Sequence, residues 1–517
     1  MTPEQEFIAD DPRIVAAIRE AAHDGQLERI DTHGAAVFLA GAFAYKIKRP
    51  VAFPYMDLST PQKRRAACEA EIRLNRRTAP GIYLGIAPLR RDSESLTIGA
   101  VGDPITAGDE CVVVMRRFDQ STLFDRLASR GRLDTDMVVG LAEAIATFHG
   151  RAEVVGKRGG AKEMRWVVEE NIEELSPRAD VFAADDIERL AARTRAAMDR
   201  LAATMDERMA AGFVRHCHGD LHLRNVCMFE GVPTIFDALE FNDALAVTDT
   251  MYDLAYVLMD LLHRGLAAQA TALLNRYLER FSDDKGLALL PLFMSVRAAI
   301  RAKVSLSMAD VQSDPSAAES LRNDAKDYLA RAIGFLEPRA PVMVAVGGLS
   351  GSGKSTVARA LAPHLAPAPG AVVLRSDVIR KALMGVGETE RLGPAGYTRE
   401  VSQRVYDAVV NRAHTIAAAG FSVVADATFT KAAGRTAIAD AAARVGCPFT
   451  GYWLDADPGT LVARVDARTN DPSDADGAVV RRQLADDIGD LDWTRIDGRR
   501  AAAAIADEIA NSVRKIA

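Results

Sequence analysis

At 517 residues the chain is longer than one ordinary hydrophobic core organises, so two or three domains are expected. Apolar residues make up 49% and charged residues 26%, and no run of about 18 uncharged apolar residues occurs, which argues against a membrane span. The net charge of −7 argues against a general nucleic-acid or membrane partner. From Pro341 onward 21 basic and 20 acidic residues nearly balance, which leaves room there for an anionic substrate in a local basic pocket; a nucleic-acid acceptor is not expected but stays open for that part alone.

The start, MTPEQEFIADDPR, is acidic and lacks an apolar signal segment. Cys68, Cys111, Cys217, Cys227 and Cys447 are scattered without framework spacing and read as reduced thiols. Both features point to a cytoplasmic protein.

Up to about residue 115 the pattern is strand-rich with one helix. AAVFLAG (35–41) and AFAYKIK (42–48) read as a hairpin about Gly41. STPQKRRAACEAEIRLNRR (59–77) opens with a helix N-cap signal, and ECVVVMRRF (110–118) reads as another strand. Most of 120–336 is helical in pattern. EPRAP (337–341) carries two prolines in five residues and serves as a linker between a first domain, 1–336, and a second, 342–517. In the second domain apolar strands alternate with helices, the mark of a parallel α/β sheet with helices on both faces.

HCHGDLHLRN (216–225) interrupts the helical stretch. His216, His218 and His222, with Cys217 and Cys227, have the chemistry of a zinc site, but that reading leaves Asp220 and Asn225 unexplained. Phosphoryl transfer uses both. Asp220 takes the proton of an acceptor hydroxyl, Asn225 ligates Mg²⁺, and a second acidic metal ligand is needed nearby. NVCMFEGVPTIFDALE (225–240) supplies Asp237: a hairpin folded about Gly231 sets Asn225 and Asp237 opposite each other, six residues to either side. His218 then braces the loop, and zinc is expected to be absent.

GLSGSGKST (348–356) fits the phosphate-binding loop G-x-x-x-x-G-K-[ST] between an apolar strand and a helix. Gly348, Ser350, Gly351, Ser352, Gly353 and Thr356 shape a cradle of backbone N–H groups, Lys354 reaches the β/γ-phosphates, and Ser355 offers a hydroxyl to Mg²⁺. In RSDVIRK, Asp377 is placed to accept a hydroxyl proton and Arg380, three residues on, to grip an anionic acceptor. Asp426, ending the strand FSVVAD, is a further Mg²⁺ ligand candidate. Arg464 and Arg468, with Arg481 and Arg482, flank the turn-rich TNDPSDADGAV (469–479), which reads as a mobile lid.

HGDLHLRN…IFDALE resembles the aminoglycoside-phosphotransferase-like kinases, which share the bilobal protein-kinase architecture. The resemblance implies an α+β domain with a small lobe of about 1–115 and a large lobe of about 118–336, Asp220 as base, and Asn225 and Asp237 as Mg²⁺ ligands. It also implies a phosphate-holding lysine in AYKIK, Lys46 or Lys48 with Lys46 preferred, and an ion-pair glutamate in CEAEIRLN, Glu71 preferred over Glu69. It makes VVVMRRF (112–118) the adenine hinge. In place of a glycine-rich phosphate cover, only THGA (32–35) occupies the turn. The second domain, on GLSGSGKST, RSDVIRK, VVADATFT and RVDART…SDA, resembles small P-loop kinases related to gluconate kinase, adenylylsulfate kinase, polynucleotide kinase and zeta-toxin proteins.

The expected function is therefore a tandem kinase. Each domain uses ATP and Mg²⁺ to phosphorylate a hydroxyl-bearing small molecule. Two alternatives stand beside it: a single antibiotic- or metabolite-modifying phosphotransferase with a regulatory or zeta-toxin-like P-loop domain, and a non-catalytic ligand-sensing module with a P-loop switch. The acceptors and the oligomeric state are beyond the sequence.

Overall fold

The computed structural model describes residues 8–23, 26–32, 34–53, 56–92, 94–240, 243–468 and 471–515. His33 of the short cover turn and Thr469 and Asn470 of the expected lid lie outside them. The chain packs as two compact units, Met1–Met164 with Thr204–Asp260, and Arg165–Ala203 with Leu261–Ala517. Packing thus divides the chain differently from its motifs, and groups residues 261–336 with the P-loop residues.

The first unit contains β1 (Leu27–Asp31), β2 (Ala35–Ala40), β3 (Phe43–Lys48), β4 (Ala52–Phe53), β5 (Met56–Asp57), β6 (Tyr83–Arg91), β7 (Leu96–Ile98) and β8 (Glu110–Arg116). Six of them form an antiparallel sheet in the order β1-β2-β3-β8-β6-β7, with β4 and β5 a separate antiparallel pair. Side chains alternate across the sheet. Phe38, Tyr45, Ile47, Val112 and Val114 bury one face, in a core shared with Ile14 and Ile18 of helix Ile14–Ala22. Val113, Cys111 and Tyr83 pack on the other face with Cys68 and Ile72 of helix Pro61–Asn75. Lys46 and Lys48 alternate with Tyr45 and Ile47 and so share the side of that helix. Thr60 caps it by accepting from the N–H of Lys63, and Pro61 occupies its first turn.

Further along lie β9 (Val214–His216), β10 (Val226–Phe229), β11 (Val232–Ile235) and β12 (Val247–Asp249), followed by helix Thr250–His263. β10 and β11 form the expected hairpin, but one step out of the expected register. The turn is the pair Glu230–Gly231, both with positive φ (51° and 81°), because a two-residue hairpin turn of this hand needs both central residues left-handed. Val226 therefore pairs with Ile235, and the N–H of Phe236 bonds to the carbonyl of Asn225 at 2.9 Å. Asn225 faces Phe236, and Asp237 lies one residue beyond, itself left-handed at φ 61°.

The second unit holds the paired helices Leu290–Val311 and Pro315–Phe335 and a wholly parallel sheet. Its strands are β13 (Met343–Gly348), β14 (Val372–Arg375), β15 (Val423–Asp426), β16 (Phe449–Asp455) and β17 (Thr494–Asp497), in the order β14-β15-β13-β16-β17. Val344, Val346, Val424 and Leu454 share a core with helices Lys354–Leu361 and Ala502–Val513. The connections diverge from β13, and the glycine loop follows its carboxyl end, where open α/β sheets place ligands.

A β-carbon on Gly451 would come within 2.3 Å of the Trp493 indole, and one on Gly347 within 2.9 Å, so two glycines on neighbouring strands make room for one ring. Gly451→Val should displace that ring and cost about 1–3 kcal/mol by overpacking. Urea unfolding followed by tryptophan fluorescence reads both effects.

Candidate active sites

In the first unit one buried glutamate gathers two lysines. Glu71 is fully buried, with Lys46 Nζ 2.8 Å from Oε1 and Lys48 Nζ 2.5 Å from Oε2. Lys46 also pairs with Asp237 at 2.8 Å, and Lys48 with Glu240. The choice between the lysines is thus a division of labour. Lys48 is 3% exposed and paired to two buried carboxylates, whereas Lys46 is 13% exposed and its second partner, Asp237, is 41% exposed. Glu69 faces outward, bound to Arg65 at 3.0 Å.

Burial alone would depress the Lys46 ammonium. The carboxylates of Asp237, Glu71 and Glu240 outweigh it and hold the pKa well above its ordinary value. Glu71 shows the mirror image: burial would raise it, and the two lysines keep it below the usual carboxylate range.

The stretch 216–225 is a loop held from below. Asp253 accepts from the backbone N–H groups of His218 (3.0 Å) and Gly219 (2.9 Å) and from His149 Nε2 (3.1 Å), while Asp260 accepts from the N–H of Leu223 at 3.0 Å. Asn225 Nδ2 donates to the backbone and side-chain oxygens of Asp220 at 2.9 and 3.0 Å. His218 accepts at Nδ1 from the N–H of Asp220, so its Nε2–H donates to the carbonyl of Phe236 at 3.0 Å. Burial lowers the His218 pKa and favours this neutral form. His218 therefore braces the Asp220 loop against the residue before Asp237. The structure brings together Asp220 with Asn225, and Lys46 with Glu71 and Asp237.

The histidines of this stretch turn to different partners. His222 accepts at Nδ1 from the N–H of Arg224 and lies 3.3 Å from Asp220 through Nε2. Among the described residues the side chains close enough to share an ion are His149, Cys217 and Asp253, of which only Cys217 belongs to the zinc reading. That thiol donates to the carbonyl of Thr248 at 3.4 Å, and Asp253 already serves two amides and His149. All five cysteines are buried, and burial pushes Cys111 and Cys447 up to about 11 and Cys227 to about 12.

In the second unit the glycine loop is left-handed at Gly348, Gly351 and Gly353 (φ 138°, 86° and 96°). A β-carbon on Gly351 would meet the carbonyl of Leu461 at 2.4 Å, so only glycine fits. Helix Lys354–Leu361 begins directly after the loop. The N–H of Ser350 is taken by Gln483 at 2.9 Å, and the buried Ser352 hydroxyl has no hydrogen-bond partner among the described residues. Ser355 is half-buried and Thr356 exposed. Lys354 donates to the carbonyl of Leu349 at 2.9 Å. Burial lowers its pKa, with Asp426 and Asp377 opposing and Arg468 adding to the depression.

Asp377 and Arg380 lie on helix Ser376–Met384. Burial raises the Asp377 pKa, reinforced by Asp426 and opposed by Ser473, Lys354 and Arg375. Arg380 is buried and largely committed. Its Nη1 donates to the carbonyl of Gly396 at 2.9 Å, the guanidinium lies 4.8 Å above the Tyr397 ring, and the buried Nε makes no hydrogen bond among the described residues. Arg375 Nε makes no hydrogen bond among the described residues but is ion-paired to Asp426 at 3.8 Å. Arg464 donates to the carbonyls of Gly498 (2.9 Å) and Gly351 (3.4 Å), the latter in the glycine loop. Arg468 lies near Lys354, and Arg481 and Arg482 are exposed on helix Gly477–Ala485. The turn-rich insert is tethered through Asp474, which binds Lys381 at 2.8 Å, Tyr397 at 2.6 Å and the N–H of Leu392 at 2.9 Å.

Several supporting residues escaped the sequence reading. Tyr83 accepts from the N–H of Asp237 at 3.1 Å and Asn75 from that of Ala238 at 2.8 Å, fixing the left-handed turn at Asp237. Asp253 and Asp260 did leave a signal: they are lone acids, seven residues apart, on an otherwise apolar helix, and a buried carboxylate requires partners.

Residues 94–290 match the Phosphotransferase enzyme family, and residues 343–486 match an AAA domain family. The first match begins beyond Lys46 and Glu71. The "Uncharacterized protein Rv2004c" of Mycobacterium tuberculosis (strain ATCC 25618 / H37Rv) is 31% identical over 476 residues, covering 89% of this chain and 90% of its own. The "Adenylyl-sulfate kinase" of Myxococcus xanthus (strain DK1622) is 33% identical over 117 residues, 23% of this chain and 59% of its own. Among solved structures, a choline/ethanolamine kinase family protein from Mesorhizobium loti is 17% identical, covering 63% of this chain and 98% of its own, with a TM-score of 0.38.

The two lysines should separate experimentally. Lys48→Met strands Glu240 in the interior and should cost about 3–5 kcal/mol of unfolding free energy. Lys46→Met leaves Glu71 paired to Lys48 and Asp237 open to water, and should cost about 1 kcal/mol, the scale of a partly exposed pair. Urea denaturation of both variants checks this, and equal losses would contradict the division of labour.

Proposed function

This chain belongs to the family in which a phosphotransferase domain is followed by a P-loop kinase domain, and on that premise we propose that each domain transfers the γ-phosphate of its own Mg·ATP to a hydroxyl of a small-molecule acceptor. One observation carries the reading: each domain has its own lysine beside its own acidic groups, Lys46 at Asp237 and Lys354 within electrostatic reach of Asp377 and Asp426. Mg²⁺, when bound, neutralises charge on the β- and γ-phosphates.

In the first domain Lys46 holds the α/β-phosphates, Asn225 and Asp237 hold the metal, and Asp220 accepts the acceptor proton. Asp237 suits its role because it is the exposed partner of Lys46 and can leave it while Glu71 stays. In the second domain the loop N–H groups and Lys354 take the phosphates, Ser355 and Asp426 hold the metal, and Asp377 accepts the proton. The unpartnered Ser352 hydroxyl and the under-compensated Lys354 fit an anion in that loop. The likeness to an adenylyl-sulfate kinase and the buried Arg380 Nε, which makes no hydrogen bond among the described residues, favour an anionic acceptor there.

ATP consumption screened against sugars, aminoglycosides, nucleosides and oligonucleotides, with each domain inactivated in turn, tests the proposal. Asp220→Asn should lower the first activity by about 10²–10⁴-fold, the usual contribution of a general base, while ATP affinity changes little. Lys354→Ala should silence the second activity and leave the first near its normal rate. EDTA should stop both, and added Mg²⁺ should restore them. Loss of both activities from either single substitution would contradict independent sites.

A further inference from the structure

We propose that Asn275 and Arg276, which precede the P-loop motif by some seventy residues, are positioning residues for the acceptor side of the P-loop site. The inference rests on the kinase reading of that domain and extends it to residues outside the 343–486 match.

β14 is an edge strand, and an edge strand presents unpaired backbone groups. Its inner side is paired to β15. On its outer side the Asn275 side chain takes the place of a neighbouring strand: Oδ1 accepts from the N–H of Val373 at 2.6 Å, and Nδ2 donates to the carbonyl of Ala371 at 3.0 Å. One turn earlier on the same helix, Ala267–Phe281, Thr271 donates to the carbonyl of Pro369 at 2.5 Å. β14 ends at Arg375, and helix Ser376–Met384 with Asp377 and Arg380 starts at the next residue.

Arg276 works on the chain that leaves this helix. Its side chain is 13% exposed, and Nη1 lies 2.5 Å from Glu388 and 2.8 Å from Glu279. Glu388 belongs to the segment that also supplies the carbonyls of Glu390 to Lys381 and of Gly396 to Arg380, and the Tyr397 ring beneath Arg380. Behind it, Arg412 of helix Arg399–Ala418 is bound to Asp284 at 2.7 and 2.8 Å. Two consecutive residues thus fasten the strand that enters the Asp377 helix and the segment that leaves it. The position of the Asp377 carboxylate is set by both, and a displacement of about 1 Å at a reacting group can cost ~10²-fold in rate.

The test uses the full-length protein and Lys354-dependent ATP hydrolysis. Water stands in for the acceptor: its oxygen bonds to the γ-phosphorus, its proton passes to Asp377, and ADP leaves. Asn275→Ala and Arg276→Ala should each lower this rate by roughly tenfold, short of the ~10²-fold limit, with Mg·ADP affinity changed less than about twofold. Hydrogen exchange should quicken at Val373 in the first variant and across 385–398 in the second, a readout that separates local positioning from general instability. The charge-swapped pair Arg276→Glu with Glu388→Arg should recover most of the rate, and decides the matter if Asn275→Ala fails to fold. Wild-type hydrolysis rates in Asn275→Ala and Arg276→Ala would overturn the positioning role and leave the kinase reading standing. Hydrolysis indifferent to Lys354→Ala would remove the kinase reading of this domain, and this inference with it.

Discussion

A lysine taken out of water needs negative charge beside it, and both candidate sites are built around that requirement. Removing an ammonium from solvent costs several kcal/mol unless carboxylates or phosphates compensate. In the first unit the compensation is internal. Lys46 and Lys48 share Glu71 and add Asp237 and Glu240, and the pKa of each lysine rises despite burial. In the second unit it is incomplete: Lys354 donates to the carbonyl of Leu349, and burial outweighs the nearby carboxylates so that its pKa falls.

The two arrangements imply different responses to the same ligand. On the proposed reading, a triphosphate at Lys46 would compete with Asp237 for the ammonium, coupling binding to release of that carboxylate. At Lys354 it would meet an under-compensated cation, a Ser352 hydroxyl with no hydrogen-bond partner among the described residues, and a helix N-terminus. Around Lys46 the fold supplies rigidity from a distance: Asp253 and Asp260 hold the Asp220 loop by its amides, and Tyr83 and Asn75 fix the turn at Asp237. Such supports matter because a base or metal ligand acts only from a narrow range of positions.

What was legible in the sequence was local. The glycine loop, the β2–β3 hairpin, the capped helix Pro61–Asn75 and the parallel alternation beyond Pro341 each follow from a pattern within some twenty residues. The β10–β11 hairpin was legible, yet its register was not. Centring the turn on Gly231 alone ignores that a left-handed pair, Glu230 with Gly231, forms the tighter turn. Arg464 could not be placed from spacing, because its partners, the carbonyls of Gly351 and Gly498, come from segments remote in the chain. The grouping of residues 261–336 with the P-loop domain depends on side chains such as Asn275 and Arg412 meeting distant partners, which no periodicity records.

If one chain carries two separate nucleotide-phosphate sites, each organised by its own lysine, isothermal titration of the full-length protein with Mg²⁺ and a non-hydrolysable ATP analogue should register two equivalents bound per chain. The number should fall to one in Lys354→Ala and to one in Lys46→Met, with the remaining site keeping its affinity. A single equivalent in the unsubstituted protein, or one substitution abolishing both, would contradict that arrangement.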